Sequence, residues 1–162
     1  MFFGMSLQAF TYLHVVLSLV GIGAGFMVVI GMIYRRRLIA LTALFLITTA
    51  LTSLTGFVFP FKGMTPGIVI GILSMIVLVL AVLARRRMQT SDVWRGTYVV
   101  STVLALFFNF FVLIVQSFEK ISALHSLAPT QTEPPIKVAQ LASLVLFAVL
   151  GTLAFRKFHL AE

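Results

Sequence analysis

The fold is decided by residues 12–59, which read YLHVVLSLVGIGAGFMVVIGMI (12–33), YRRR (34–37) and LIALTALFLITTALTSLTGFVF (38–59). Neither apolar segment contains Asp, Glu, Lys or Arg. A helix rises 1.5 Å per residue, so each segment is long enough to cross a hydrocarbon core about 30 Å thick. Because arginines are costly at membrane depth, the stretch predicts a transmembrane hairpin whose turn lies at one membrane surface.

Three further apolar segments without charged residues lie at 67–84, 97–118 and 138–155. In lipid a helix satisfies its own backbone hydrogen bonds, and no segment shows the alternation of a barrel strand. We therefore predict an all-α integral membrane protein, a bundle of five transmembrane helices that forms a single membrane domain over residues 1–162. The connection 119–137 is the longest.

The composition excludes a water-soluble globular fold. Of the 162 residues, 60% are hydrophobic and 10% are charged, with a mean hydropathy of +1.13, whereas a soluble domain carries about 25% charged residues. The chain has no cysteine, which excludes disulfide frameworks and cysteine-ligated metals.

The distribution of basic residues predicts the orientation. Nine of the 12 Lys and Arg residues lie in the connections after spans one and three and after span five, and three lie on the other side. The positive-inside rule then predicts an amino terminus outside and a carboxyl terminus inside. In general character the chain resembles small bacterial inner-membrane proteins, so we expect it in that membrane.

Two arginine triplets account for most of the basic character. We expect Arg35, Arg36 and Arg37, and likewise Arg85, Arg86 and Arg87, to contact the anionic lipids of the inner leaflet. The isoelectric point of about 11.0 therefore does not predict a nucleic-acid partner.

Small residues at helical spacing predict close helix packing. Gly21 and Gly25 share a face of span one, and Gly67 and Gly71 share a face of span three. Such faces let helix backbones approach closely. The same pattern leaves open a homo-oligomer or assembly into a larger membrane complex.

Span two carries six hydroxyl side chains, which suggests that it lies at the centre of the bundle. We expect Thr48 and Thr52 to form a polar network with Asn109 of span four, because a mid-membrane Asn needs a hydrogen-bonding partner. An alternative is a small oligomeric pore lined by the hydroxyl face of span two.

Four polar residues on four spans are predicted to lie at one depth near the outer surface. His14, Gln116 and Gln140 lie roughly 3 Å below the outer ends of their spans, and Thr55 lies roughly 6 Å below. If they converge beneath the 119–137 connection, they form a pocket for a lipid head group, a quinone ring or a haem edge.

The sequence offers no set of residues for bond chemistry. We expect no catalytic residue and no metal site, and we predict an accessory or scaffold subunit, or a lipid-binding module, with its functional surface outside. The alternative is a haem- or quinone-binding redox subunit that uses the His14 layer. The second alternative is the pore lined by span two.

Overall fold

The computed structural model describes residues 4–59 and 66–158. These residues form five long helices and one short helix: α1 (Leu7–Ile33), α2 (Ile39–Val58), α3 (Pro66–Arg87), α4 (Asp92–Lys120), α5 (Ser122–His125) and α6 (Pro134–Lys157). The five long helices are each long and apolar enough to cross a membrane. The predicted all-α bundle of five transmembrane helices is therefore confirmed, and its orientation stays a prediction.

Four of the five long helices extend beyond the apolar segments that predicted them, and α2 ends one residue inside its segment on each side. α1 begins at Leu7, where the Ser6 side chain accepts a hydrogen bond from the Ala9 amide at 3.2 Å. α4 begins at Asp92, which pairs with Arg95 at 2.8 Å within the first turn. α6 begins at Pro134, so the long connection is shorter than 119–137. Hydropathy marks only the part of a helix that lies in hydrocarbon, whereas caps and prolines decide where it starts.

α1 and α4 form the centre of the bundle. α1 packs against α2, α4 and α6, and α4 packs against α1, α3 and α6, whereas α2 contacts mainly α1 and α3. The prediction that span two is central is therefore wrong. Its hydroxyls largely donate to backbone carbonyls one turn earlier: the Thr42 hydroxyl donates to Leu38 O at 2.8 Å, and the Thr52 hydroxyl donates to Thr48 O at 2.8 Å. A hydroxyl with such a local acceptor needs no hydrogen-bond partner on another helix.

Aromatic rings join the two central helices to α6. Phe26 of α1 meets Phe110 of α4 edge to face at 5.7 Å, and both lie 5.6 Å from Phe147 of α6. Such pairs add about 0.5–1.5 kcal/mol each beyond burial. This cluster fixes α6 against the α1–α4 pair.

Large apolar side chains cover the outside of the bundle. Ile39 is 70% exposed, Val138 is 65% exposed and Leu141 is 61% exposed. Contiguous apolar surface of this extent is rare on soluble monomers. It fits a protein whose outer surface contacts lipid tails.

The bundle has two chemically different ends. We call the end that carries the α1–α2 and α3–α4 turns, with Arg35–Arg37 and Arg85–Arg87, the arginine end. We call the opposite end, which carries residues 121–133, the loop end. At the loop end, Ala128 and Ile136 are fully buried with Phe118 in a small separate core, so the connection packs back onto α4 and α6.

Candidate functional site

The turn between α1 and α2 sets the position of the first arginine triplet. The Arg35 amide donates to Met32 O at 3.1 Å, and the Arg36 amide donates to Gly31 O at 2.8 Å. This pair of bonds is a Schellman motif, which ends a helix through one residue in the left-handed conformation. Here that residue is Arg35, with φ 58°. The chain reverses within a few residues, which places Arg36 and Arg37 at the mouth of a cavity.

That cavity, at the arginine end, has a volume of about 170 Å³. Arg36 and Arg37 of the α1–α2 turn and Arg85 of α3 line it, and Thr42 and Tyr98 lie at its buried side. Its remaining lining is apolar and comes from α1, α2, the α3–α4 turn and the end of α6. Two adjacent arginines of one turn and a third arginine from α3 thus line one cavity.

The floor of the cavity is polar but buried. Thr42 and Tyr98 are each 4% exposed, and the Tyr98 phenol lies beside the hydroxyls of Thr42 and Thr102. The Thr42 hydroxyl already donates to Leu38 O at 2.8 Å. Between these two hydroxyls only Tyr98 still has a proton to donate, and Thr42 Oγ1 is an acceptor beside it.

The three cavity arginines have no acidic partner among the described residues. The ion pairs found there are Arg95–Asp92 and Lys120–Glu119, at 2.8 and 2.7 Å, and no Asp or Glu lines the cavity. Arg85 also contacts Ile39 O weakly, at 3.4 Å. The cavity is thus strongly positive and suits an anion.

An apolar groove adjoins this cavity through Arg85. Leu46 of α2 and Val82 of α3 form its walls, and Arg85 and Arg86 border it. Since α2 and α3 pack against each other, the groove lies where these two helices meet. Arg85 therefore lines both the cavity and the groove.

Arg87 is placed differently. Its guanidinium carbon lies 5.1 Å from the centre of the Trp94 ring, in a cation–π arrangement. Arg87 does not line the cavity, and neither does Arg35. The six arginines of the two triplets therefore have different local roles.

At the loop end the structure brings together two of the four residues predicted to share an outer pocket. His14 Nδ1 lies 2.8 Å from Thr55 Oγ1, and the His14 ring meets Phe59 edge to face at 5.2 Å. Gln116 is exposed and Gln140 is partly exposed. Neither glutamine side chain hydrogen-bonds to His14 or Thr55 within the described parts of the chain.

The hydrogen bonds around Thr55 indicate the tautomer of His14. The Thr55 hydroxyl donates to Leu51 O at 2.7 Å, so it accepts from His14 Nδ1–H in the arrangement that satisfies both groups. His14 Nε2 is then the unprotonated ring nitrogen.

In the middle of the bundle, Asn109 has a different partner from the one predicted. Asn109 Oδ1 accepts a hydrogen bond from the Ser18 hydroxyl of α1 at 2.9 Å, not from a threonine of α2. Thr48 donates to Leu44 O at 2.7 Å. Asn109 Nδ2 and Thr49 Oγ1 are buried without a hydrogen-bond partner in the described structure. The correction follows from packing, since α4 packs more extensively against α1 than against α2.

Gly21 and Gly25 of α1 lie where α1, α2 and α4 meet. A Cβ atom on Gly21 would lie 3.0 Å from Thr48 Oγ1 and 3.3 Å from Asn109 Nδ2. A Cβ atom on Gly25 would lie 2.6 Å from Leu106 Cδ1. In α3, a Cβ atom on Gly71 would lie 2.9 Å from Phe57, whereas Gly67 is exposed.

The hydroxyl groups of α2 face the interior of the protomer. Thr42, Thr48 and Thr49 are buried, while the outward positions Ile47 and Leu54 are 59% and 49% exposed. Neighbouring protomers that met along α2 would therefore present apolar side chains to each other, which does not favour a shared polar pore.

The sequence pointed to the arginines that line the cavity but not to Thr42 and Tyr98 at its floor. Tyr98 reads as an interface anchor at the end of a span, and Thr42 as one of many hydroxyls in span two. The available signal was that each lies at the same predicted membrane surface as an arginine triplet.

Comparison with protein-family models, curated proteins and solved structures gives no match to this chain. The fold by itself defines a multi-span helical membrane protein. No group of three or more His, Asp or Glu side chains suited to a metal ion occurs within 4–59 and 66–158.

Proposed function

We propose that this protein is a non-catalytic membrane module that binds an anionic phospholipid at its arginine end. The observation that carries the proposal is the convergence of Arg36, Arg37 and Arg85 on one cavity of about 170 Å³. In this arrangement the lipid phosphate occupies the cavity. The guanidinium fork of Arg matches phosphate oxygens in a bidentate geometry.

Charge supports an anionic ligand over a zwitterionic one. The cavity arginines face no carboxylate among the described residues, so a net negative head group relieves their mutual repulsion. Each basic residue near an anionic membrane surface contributes about 1 kcal/mol of binding. A zwitterionic head group brings its own cation and loses most of this gain.

The groove between α2 and α3 supports a lipid over a soluble anion. Arg85 lines both the cavity and the groove, and the apolar residues Leu46 and Val82 line the groove beside it. A phosphate in the cavity can therefore place its ester oxygen close to Arg85, at the start of the groove. The groove therefore receives an acyl chain, and burial of each CH₂ there contributes about 0.8 kcal/mol.

This proposal moves the functional surface from the predicted outer side to the arginine end. If the positive-inside rule holds, that end faces the cytoplasm and the ligand is a lipid of the inner leaflet. Location in a bacterial inner membrane is part of the same proposal.

Lipid titration followed by native mass spectrometry tests the proposal. Phosphatidylglycerol should bind the purified protein more tightly than phosphatidylcholine with the same acyl chains. Arg85→Gln should weaken phosphatidylglycerol binding about fivefold, the equivalent of about 1 kcal/mol. Arg35→Gln removes the same charge from the same end but does not line the cavity, so it should change affinity less than about twofold. Equal losses in the two variants would contradict the proposal.

A second candidate function is binding of haem or quinone at the loop end, and one observation favours it. The hydrogen bond between His14 and Thr55 holds the ring through Nδ1, as ring-orienting partners do for metal-ligating histidines. Visible absorption and organic extraction of the purified protein test it. A Soret band or an extracted quinone that disappears in His14→Ala would support it, and a colourless, quinone-free protein would exclude it.

A further inference from the structure

We infer that the arginine-end cavity selects a lipid phosphomonoester, such as phosphatidic acid, over phosphodiester lipids. The inference rests on the proposed function and names the chemical class of its ligand. It follows from three properties of the cavity: its size, its charge and the hydroxyl group at its floor.

The size of the cavity suits a bare phosphate. A volume of about 170 Å³ corresponds to roughly six times the ~30 Å³ that one water molecule occupies in the liquid. A phosphate group has five heavy atoms and fits within such a space.

The charge of the cavity suits a dianion. Arg36, Arg37 and Arg85 bring three positive charges, and no acidic residue lines the described cavity. A phosphomonoester carries about −1.5 to −2 charges at pH 7, whereas a phosphodiester carries one. Each guanidinium also attracts the additional negative charge, so the monoester binds in the cavity with a more favourable free energy than the diester.

The floor supplies a donor for the additional oxygen. A monoester has three unesterified oxygens and a diester has two, and arginine forks at the rim can engage two of them. Buried Tyr98 lines the cavity from α4, and the Thr42 proton is committed to Leu38 O. The third oxygen of a monoester competes with Thr42 Oγ1 for the Tyr98 proton, whereas a diester has one fewer free oxygen to share between the arginines and Tyr98.

The test compares three lipids that share their acyl chains: phosphatidic acid, phosphatidylmethanol and phosphatidylglycerol. Phosphatidylmethanol is the matched control, because it adds one methyl group and removes one ionisable oxygen. Phosphatidic acid should bind wild-type protein about tenfold more tightly than phosphatidylmethanol in native mass spectrometry. Phosphatidylmethanol and phosphatidylglycerol should bind alike.

Tyr98→Phe separates the role of the hydroxyl from that of the ring. The phenyl ring keeps its packing against Phe158, whose centre lies 6.0 Å away. The variant should weaken phosphatidic acid about tenfold, as expected for a lost hydrogen bond to a charged group, and should leave phosphatidylmethanol within twofold. An equal loss for both lipids would overturn the inference.

The remaining outcomes distinguish the inference from the proposed function. If phosphatidic acid and phosphatidylmethanol bind equally and Arg85→Gln weakens both, the monoester selectivity is wrong and the lipid site stands. If no lipid responds to Arg85→Gln, both are wrong. Inorganic phosphate at a concentration equal to that of phosphatidic acid should displace none of it; complete displacement would show that the ligand is a soluble phosphate and overturn the inference.

Discussion

Arg35 adopts a backbone conformation that residues with a side chain rarely adopt. Its φ of 58° lies in the left-handed region, which costs a residue with a Cβ atom about 1–2 kcal/mol. The turn needs this conformation, because the amides of Arg35 and Arg36 bond back to the last turn of α1 only when the chain reverses there. Glycine is the usual residue at such a position.

We predict that Arg35→Gly is more stable than Arg35→Ala by about 1 kcal/mol, because glycine removes the steric cost and alanine keeps it. Both variants lose the same charge, so the difference between their free energies of unfolding reports the backbone strain at position 35. Reversible unfolding of the two variants in mixed micelles measures it. Equal stabilities would mean that the turn relaxes to an unstrained conformation.

Glu133 organises the connection at the loop end. Its carboxylate accepts hydrogen bonds from the Thr130 amide at 3.0 Å, the Thr130 hydroxyl at 2.8 Å and the Thr132 amide at 2.9 Å. Partial desolvation raises the pKa of Glu133, but the hydrogen bonds from the Thr130 hydroxyl and from backbone amides outweigh it and lower the pKa from 4.5 to about 2. The carboxylate therefore holds residues 130–133 in place in its charged form.

We predict that residues 130–133 lose order under acid. A lowered pKa stabilises the folded connection fully above pH 4.5, and this stabilisation is lost as the pH falls towards 2. Hydrogen exchange at the Thr130 and Thr132 amides, corrected for intrinsic rates, should show protection falling over that window. Glu133→Gln should give low protection at every pH; a pH-dependent profile in that variant would assign the effect to another group.

At the scale of the element, α1 carries two glycines in different environments. Gly25 is buried where α1 meets Phe45 of α2 and Leu106 of α4, and a Cβ atom there would lie 2.9 and 2.6 Å from them. Gly23 is exposed, and nothing lies within 4 Å of the position of its Cβ. The two glycines therefore form a matched pair on one helix.

We predict that Gly25→Ala destabilises the bundle by about 1–3 kcal/mol, the usual cost of overpacking a close contact. Gly23→Ala should be neutral or stabilising by up to about 1 kcal/mol, because alanine favours the helix and meets no neighbour. Unfolding in mixed micelles with SDS compares the two. If Gly25→Ala were as stable as Gly23→Ala, α1 would not pack as closely against Phe45 and Leu106 as the structure shows.

The sequence predicted the helices well but their contacts poorly. Apolar segments free of charge predict transmembrane helices because, in lipid, each helix satisfies its own backbone. The same segments do not indicate which helices lie next to each other. Asn109 was expected to pair with α2 and instead accepts a hydrogen bond from Ser18 of α1. Partner choice depends on which side chains fit together, and many apolar faces have similar composition.

At the scale of the whole molecule, orientation is the prediction on which the location of the lipid site depends. The absence of cysteine makes the chain suited to single-cysteine labelling. In intact cells, a membrane-impermeant thiol reagent should label Gln131→Cys in the loop-end connection and leave Gln89→Cys in the α3–α4 turn unlabelled until the membrane is permeabilised. Labelling of Gln89→Cys in intact cells would reverse the orientation and place the arginine cavity outside.

What the sequence by itself determined is the class of protein, the number of its spans and the two arginine triplets that share one end. These are local properties, because hydrophobic length and charge act on each segment separately. The tertiary structure decided that α1 and α4 are central and that Arg36, Arg85 and Tyr98 meet around one cavity. These residues belong to the α1–α2 turn, to α3 and to α4, and their convergence depends on how those elements pack, which no single segment encodes.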